Sequence, residues 1–124
     1  MLIANLEYYK KGNGKIPVQE FLMSLPTKLR AKAFRDIELL NIHGGDLREP
    51  YVKAIKGKKY KGIYELRIKF ANDIARIFYF ICCENTFILL HGFLKKKQLT
   101  PRKELEIALT YKEDYVRRRE HGED

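Results

Sequence analysis

Histidine and cysteine are too sparse and too scattered in this chain to build the commonest reaction centres. His43, His91 and His121 fall at spacings that put no two on one face of a helix or strand, which argues against a metal site, and no cofactor is expected. Cys82 and Cys83 are adjacent, and neighbours on a strand point to opposite faces, so a disulfide between them is strained and no third cysteine offers another partner. A reducing compartment follows. Both cysteines sit in an apolar run rather than at a helix start or a glycine-rich turn, where cysteine behaves as a small core residue and not as a nucleophile. Gly57 and Gly62 lie among lysines and do not lead from a strand into a helix, so no phosphate-binding loop is formed. No apolar run approaches the roughly 20 residues of a membrane span. The opening MLIANLEYYKKG also lacks the charged segment and apolar core of a secretory signal. The expected location is the cytoplasm, with no membrane partner.

Acidic residues are the other shortage. Lys and Arg number 25 against 16 Asp and Glu, for a formal net charge of +9 and a pI near 9.6. The excess is local: from 53 to 69, Lys53, Lys56, Lys58, Lys59, Lys61, Arg67 and Lys69 stand against Glu65 alone, and Lys95, Lys96, Lys97, Arg102 and Lys103 follow one another with no acid between. Basic clusters on one sheet and its margin fit a polyanion footprint, although lysine for solubility alone gives the same composition. With no repeat, linker or low-complexity segment, residues 1–124 read as one domain around a single core.

The run from Gly57 to Lys97 organises the rest. Tyr64, Leu66, Ile68 and Phe70 alternate strictly with Ile63, Glu65, Arg67 and Lys69, the pattern of an antiparallel strand with one apolar face and one charged face. Ile74 to Cys82 is apolar apart from Arg76, as a central strand buried on both faces requires, and Thr86 to Leu94 completes three consecutive strands. Ala71-Asn72-Asp73 and Glu84-Asn85 supply the turns. Ahead of the sheet, residues 2–9 alternate as an opening strand. Pro17 starts a short helix carrying Phe21, Leu22 and Leu25, and a longer helix from Pro26 carries Leu29, Ala33, Ile37 and Leu40 until Gly44-Gly45 stop it. Residues 46–62 read as a lysine-rich loop leading into the sheet. After the sheet, Thr100-Pro101 read as N-cap and first position of a terminal helix, whose Arg117-Arg118-Arg119 end is expected to fray or lie exposed. The fold class expected is α+β.

An arginine on a buried strand needs a partner or a function, because an unpaired buried charge is costly. Two readings stay open. In one, Glu65 and Arg67 form a surface ion pair and Arg76 pairs with Asp73 or Glu84. In the other, Glu65, Arg67 and Arg76 share a face across the turn, with the lysine run beside them. Such a cluster binds a phosphodiester, stabilises a pentacoordinate intermediate with arginines, and uses Glu65 or a lysine of lowered pKa to take a 2′-hydroxyl proton. His91 falls in the row Phe87, Leu89, His91, Phe93 and reads as a core or supporting histidine.

Tyr64-Glu65-Leu66-Arg67-Ile68, Arg76-Ile77-Phe78-Tyr79-Phe80 and the segment His91-Gly92-Phe93-Leu94-Lys95-Lys96-Lys97-Gln98 with Thr100-Pro101 together resemble the RelE/ParE toxin superfamily, nearest to its phage-derived HigB-like branch. The resemblance implies a RelE-like fold, an antiparallel sheet of about four to five strands with an N-terminal helical hairpin on one face and a C-terminal helix. It also implies a type II toxin that cleaves mRNA on the ribosome without metal and inhibits translation. Its partner would be a HigA-like helix-turn-helix antitoxin, with operator DNA reached only through that antitoxin. Carried over by position, the catalytic set is Glu65, Arg67, Arg76, Lys95 and Lys96, with Lys58, Lys59, Lys61, Lys69 and Lys97 contacting RNA. Glu65 departs from the lysine of ribosome-dependent relatives, which leaves the base open between it and Lys95. Tyr111 and Tyr115 are the candidates for a base-stacking tyrosine. The competing readings are a ParE-like toxin directed at DNA gyrase and a simple nucleic-acid binder.

Overall fold

A computed structural model describes residues 5–82, 85–95 and 100–122. Five strands form one sheet in the order β1-β5-β4-β3-β2: β1 (Asn5–Tyr8), β2 (Val52–Ala54), β3 (Ile63–Phe70), β4 (Asp73–Cys82) and β5 (Thr86–Leu94). The helices are α1 (Pro17–Ser24), α2 (Thr27–His43) and α3 (Arg102–Glu120). The architecture is the α+β arrangement expected, with one correction. β2 to β5 are antiparallel, but β1 runs parallel to β5, pairing Leu6 with Phe87 and Tyr8 with Leu89, so the sheet is mixed. Among the described residues no helix is long and apolar enough to cross a membrane.

The helical hairpin forms where the apolar spacing places it. Pro17 opens α1, and Pro26 separates it from α2, whose Leu29, Ala33, Ile37 and Leu40 make a buried stripe. The helix closes at Gly44, whose φ of 52° lies in the left-handed region that glycine enters without strain. This layer packs on Leu66, Ile68, Ala75, Ile77, Tyr79, Phe87 and Leu89 of the sheet. At Gly92 the approach is so close that a Cβ would stand 2.9 Å from Phe21 Cγ.

The opposite sheet face carries α3, with Leu105 and Ala108 seated on Ile63, Phe78, Phe80, Ile88, Leu90 and Phe93. The far end of α3 is helical to Glu120 with Arg117 and Arg119 exposed, the second of the two expected outcomes, and it is anchored one turn earlier. Tyr9 Oη donates to Asp114 Oδ2 at 2.6 Å, Arg118 Nη2 donates to the same oxygen at 2.7 Å, and the Tyr9 and Tyr111 rings stack 4.8 Å apart. Burial, then the Asp114 carboxylate, pushes the Tyr9 phenol up to about 12.

Two further expectations change. The segment read as a loop contains β2, a three-residue edge strand pairing Val52, Lys53 and Ala54 with Leu66, Glu65 and Tyr64. The single row Phe87, Leu89, His91, Phe93 is broken by a bulge opposite Phe78 and Tyr79: Leu89 pairs with Tyr79 on the α1–α2 side, whereas His91 pairs with Phe78 on the α3 side.

Candidate functional site

The turn at Ala71-Asn72 pairs Phe70 with Asp73 and so fixes the register of the whole β3–β4 hairpin. That register sets Arg67 directly opposite Arg76 and Glu65 opposite Phe78, all on the α3 side of the sheet. The two arginines therefore converge. β2 adds Lys53 opposite Glu65 on the same face. β5 delivers Lys95 just past its end, where the Lys95 N–H donates to Ile74 O at 2.8 Å.

The charged row is not open to water throughout. Glu65 is 2% exposed and Arg76 4%. Arg76 Nη1 donates to Glu65 Oε1, making a buried ion pair in place of the surface Glu65–Arg67 pair or an Arg76–Asp73 pair. Thr100 Oγ1 faces Glu65 Oε2 at 3.4 Å, so the lead into α3 closes over the carboxylate. Thr100 is thus not the helix cap: Pro101 holds that position and α3 begins at Arg102. Arg76 Nε is buried and finds no acceptor among the described residues. A buried donor without an acceptor is costly, and the second arginine opposite adds to that cost.

The electrostatics agree. Burial pushes the proton affinity of the Arg76 guanidinium below its ordinary level, Glu65 opposes that shift and Arg67 adds to it. Burial likewise pushes the Lys95 ammonium below its usual 10.5, helped by Arg76, Arg67 and Lys53 and opposed by Glu65. Lys53, Arg67, Arg76 and Lys95 therefore sense one another around a single carboxylate. Like charges set opposite one another on adjacent strands destabilise a sheet, so this concentration of cations is a cost that packing alone does not require.

Of the other expected site residues, Lys69 lines a cleft beside Arg67. Lys58, Lys59 and Lys61 lie at the opposite end of β3 from Arg67, roughly 13 Å or more away along the strand by its rise per residue. There Lys59 Nζ pairs with Glu106 Oε1 at 3.0 Å and the Lys61 carbonyl accepts from Lys112 Nζ at 3.2 Å. They flank α3 and do not join the cluster. Lys96 and Lys97 lie outside the described residues. His91 is half-buried, with Nε2 2.9 Å from Glu104 Oε1 and its ring stacked on Phe93, a supporting position between β5 and α3. Tyr111 stacks on Tyr9, and Tyr115 meets Phe80 edge-on while its Oη donates to Glu7 Oε1 at 3.1 Å, so both serve the packing of α3. Lys53 and Thr100 are the functional candidates that sequence reading missed. Val52, Lys53 and Ala54 are too few to show a period, so no local signal marked Lys53. Among the described residues no group of His, Cys, Asp or Glu is arranged to hold a metal ion.

The fold is an α+β sheet sandwiched between a helical hairpin and a terminal helix, with arginines and lysines gathered about one buried carboxylate. Residues 20–113 match the family described as Phage derived protein Gp49-like (DUF891), and the chain belongs to that family, which is associated with toxin–antitoxin systems. No curated protein matches the chain.

Proposed function

We propose that this protein is the toxin of a type II toxin–antitoxin pair and acts in the cytoplasm as an endoribonuclease on mRNA held by the ribosome, so inhibiting translation. One observation carries the reading: Lys53, Arg67, Arg76 and Lys95 surround Glu65, with a buried Arg76 donor left over. A scissile phosphate bridging Arg67 and Arg76 gains charge-assisted hydrogen bonds, and these strengthen as the phosphorane gathers charge. The cations supply the stabilisation that a metal ion supplies in other nucleases.

Lys95 is the better base. Its lowered pKa raises the fraction of free amine near neutral pH, whereas Glu65 already has one oxygen on Arg76 and the other facing Thr100. The amine takes the proton of the 2′-hydroxyl and the 2′ oxygen forms a bond to phosphorus. The bond from phosphorus to the 5′ oxygen breaks, and that oxygen takes a proton from water. The products are a 2′,3′-cyclic phosphate and a 5′-hydroxyl. Glu65 serves by aiming Arg76. Lys96 extends the set by position in the chain, and Lys58, Lys59, Lys61, Lys69 and Lys97 contact flanking RNA backbone. The likeness to RelE and HigB toxins supports the ribosome as the place of action and a HigA-like helix-turn-helix protein as the antitoxin, through which operator DNA is reached.

Primer extension on a translated mRNA tests this. New 5′ ends within codons are expected on induction, and their loss in Arg67→Ala; intact transcripts in growth-arrested cells would refute cleavage and leave a gyrase-directed or purely binding toxin.

A further inference from the structure

β2 begins at Val52, opposite Leu66, and the Tyr51 carbonyl reaches one residue further to Arg67, so beyond Arg67 the end of β3 has an open edge among the described residues. Here a cleft of about 290 Å³ is lined by Lys32, Pro50, Tyr51, Arg67, Lys69 and Ile74. Its charged members are all cations. Lys32 is fixed on α2, its Nζ 2.6 Å from Oδ2 of the buried Asp36. Tyr51 is fixed by its backbone, because its carbonyl accepts the Arg67 N–H at 2.7 Å, while its side chain stays 38% exposed. Pro50 and Ile74 add an apolar wall.

An accessible tyrosine flanked by cations from separate elements is how proteins hold single-stranded nucleic acid: the base stacks on the ring and the phosphates meet the charges. The volume is at the lower end of small-ligand sites, which suits one nucleoside and excludes a duplex. Arg67 belongs both to this cleft and to the cation cluster, so a nucleotide lodged here is continuous with a phosphate held between Arg67 and Arg76.

We propose that the cleft is a single-nucleotide subsite for RNA, in which Tyr51 stacks on one base while Lys32 and Lys69 hold the adjoining phosphate. The assignment rests on the endoribonuclease reading and adds to it the element that would favour particular bases next to the cut. Choice among bases comes from stacking strength and from the donors of Lys32, Arg67 and Lys69, which favour a base edge rich in acceptors.

The test uses a fluorescein-labelled 2′-O-methyl RNA tetranucleotide, which cannot be cleaved, with anisotropy read over a series of salt concentrations. Tyr51→Ala is expected to weaken binding about tenfold with the salt dependence intact, and Tyr51→Phe to bind as the parent. Lys69→Ala is expected to lower the slope of log affinity against log salt by about one. Thermal unfolding verifies that each exposed substitution leaves the fold in place. Parent-like affinity in Tyr51→Ala overturns the subsite while leaving the cleavage reading intact, and so does displacement by a polyglutamate peptide as effective as unlabelled RNA, which marks a plain anion site. Loss of binding in Tyr51→Ala by a protein that leaves translated mRNA intact supports the subsite and removes only the cleavage reading. No binding by the parent overturns the subsite.

Discussion

Replacing Glu65 by glutamine removes one charge and almost no volume from the centre of the Lys53, Arg67, Arg76 and Lys95 cluster. Arg76 is then left buried beside Arg67, Lys53 and Lys95 with no carboxylate. Breaking a buried ion pair from one side costs about 3–5 kcal/mol, because the remaining charge stays desolvated and uncompensated. Against a whole-domain stability of about 5–15 kcal/mol, that is a large fraction. With a urea m-value of about 2 kcal/mol/M, the midpoint should fall by about 2 M at neutral pH with m unchanged. Two controls separate the causes. Glu65→Leu combined with Arg76→Met removes both charges of the pair and should recover most of the loss, giving a large coupling energy in the double-mutant cycle. Inorganic phosphate should stabilise Glu65→Gln more than the parent, since it binds folded protein whose cations lack their counterion. An unfolding free energy for Glu65→Gln within about 0.5 kcal/mol of the parent, with no response to phosphate, would show that Glu65 is not what holds these cations together, an outcome well below the buried-pair range.

Lys95→Gln should act in opposite directions on activity and stability. Its folded pKa lies below its ordinary 10.5, so at neutral pH the folded state carries a penalty that fades as pH rises through the folded pKa. Removing the charge should leave the urea midpoint unchanged or raised, while single-turnover cleavage falls about 10²-fold or more. In the parent, cleavage should climb with pH and level off below 10.5, and a rate flat from neutral pH upward would exclude Lys95 as the base. Gly92→Ala should cost about 1–3 kcal/mol in chemical denaturation, because the new methyl meets the Phe21 ring and α1 must lift from β5; a neutral effect would show that the ring yields freely. Ala71→Gly should stabilise by up to about 1 kcal/mol in the same assay, because Ala71 sits at φ 55° in the hairpin turn. Destabilisation there would mean that the added freedom of the unfolded chain outweighs the strain relieved.

Much of this protein is written in local pattern. Two-residue alternation set Tyr64, Leu66 and Ile68 against the α1–α2 layer, though Phe70 in the same row stays exposed, and put Glu65, Arg67 and Lys69 on the other face, while the Ala71-Asn72 turn fixed which residues of β4 stand opposite. From turn and parity together, the meeting of Arg67 and Arg76 was readable in advance, and Arg76 marked itself as a residue needing a partner because charge on a buried strand is rare. The prolines and glycines bounding α1 and α2 act within a few residues of themselves, so those helices were equally plain.

What escaped depends on contacts between distant parts of the chain. A three-residue edge strand has too little sequence to show a period, so β2 existed only once β3 was there to pair with it, and Lys53 entered the site unannounced. Alternation says nothing of parallel or antiparallel direction, so β1 beside β5 was settled by the path the helical hairpin takes. The bulge that moved His91 to the α3 side adds one residue to one strand, a change visible only against its neighbour. The choice of Glu65 over Asp73 as the partner of Arg76 was a matter of depth, since Arg76 and Glu65 sink beneath the lead into α3 while Asp73 stays at the exposed hairpin end. The sequence by itself determined which residues carry charge and which face each strand residue takes between bulges, because those follow from neighbours in the chain. Which of those charges lose their water was decided by packing, and that loss is what turns an ordinary lysine and arginine into groups with lowered proton affinity.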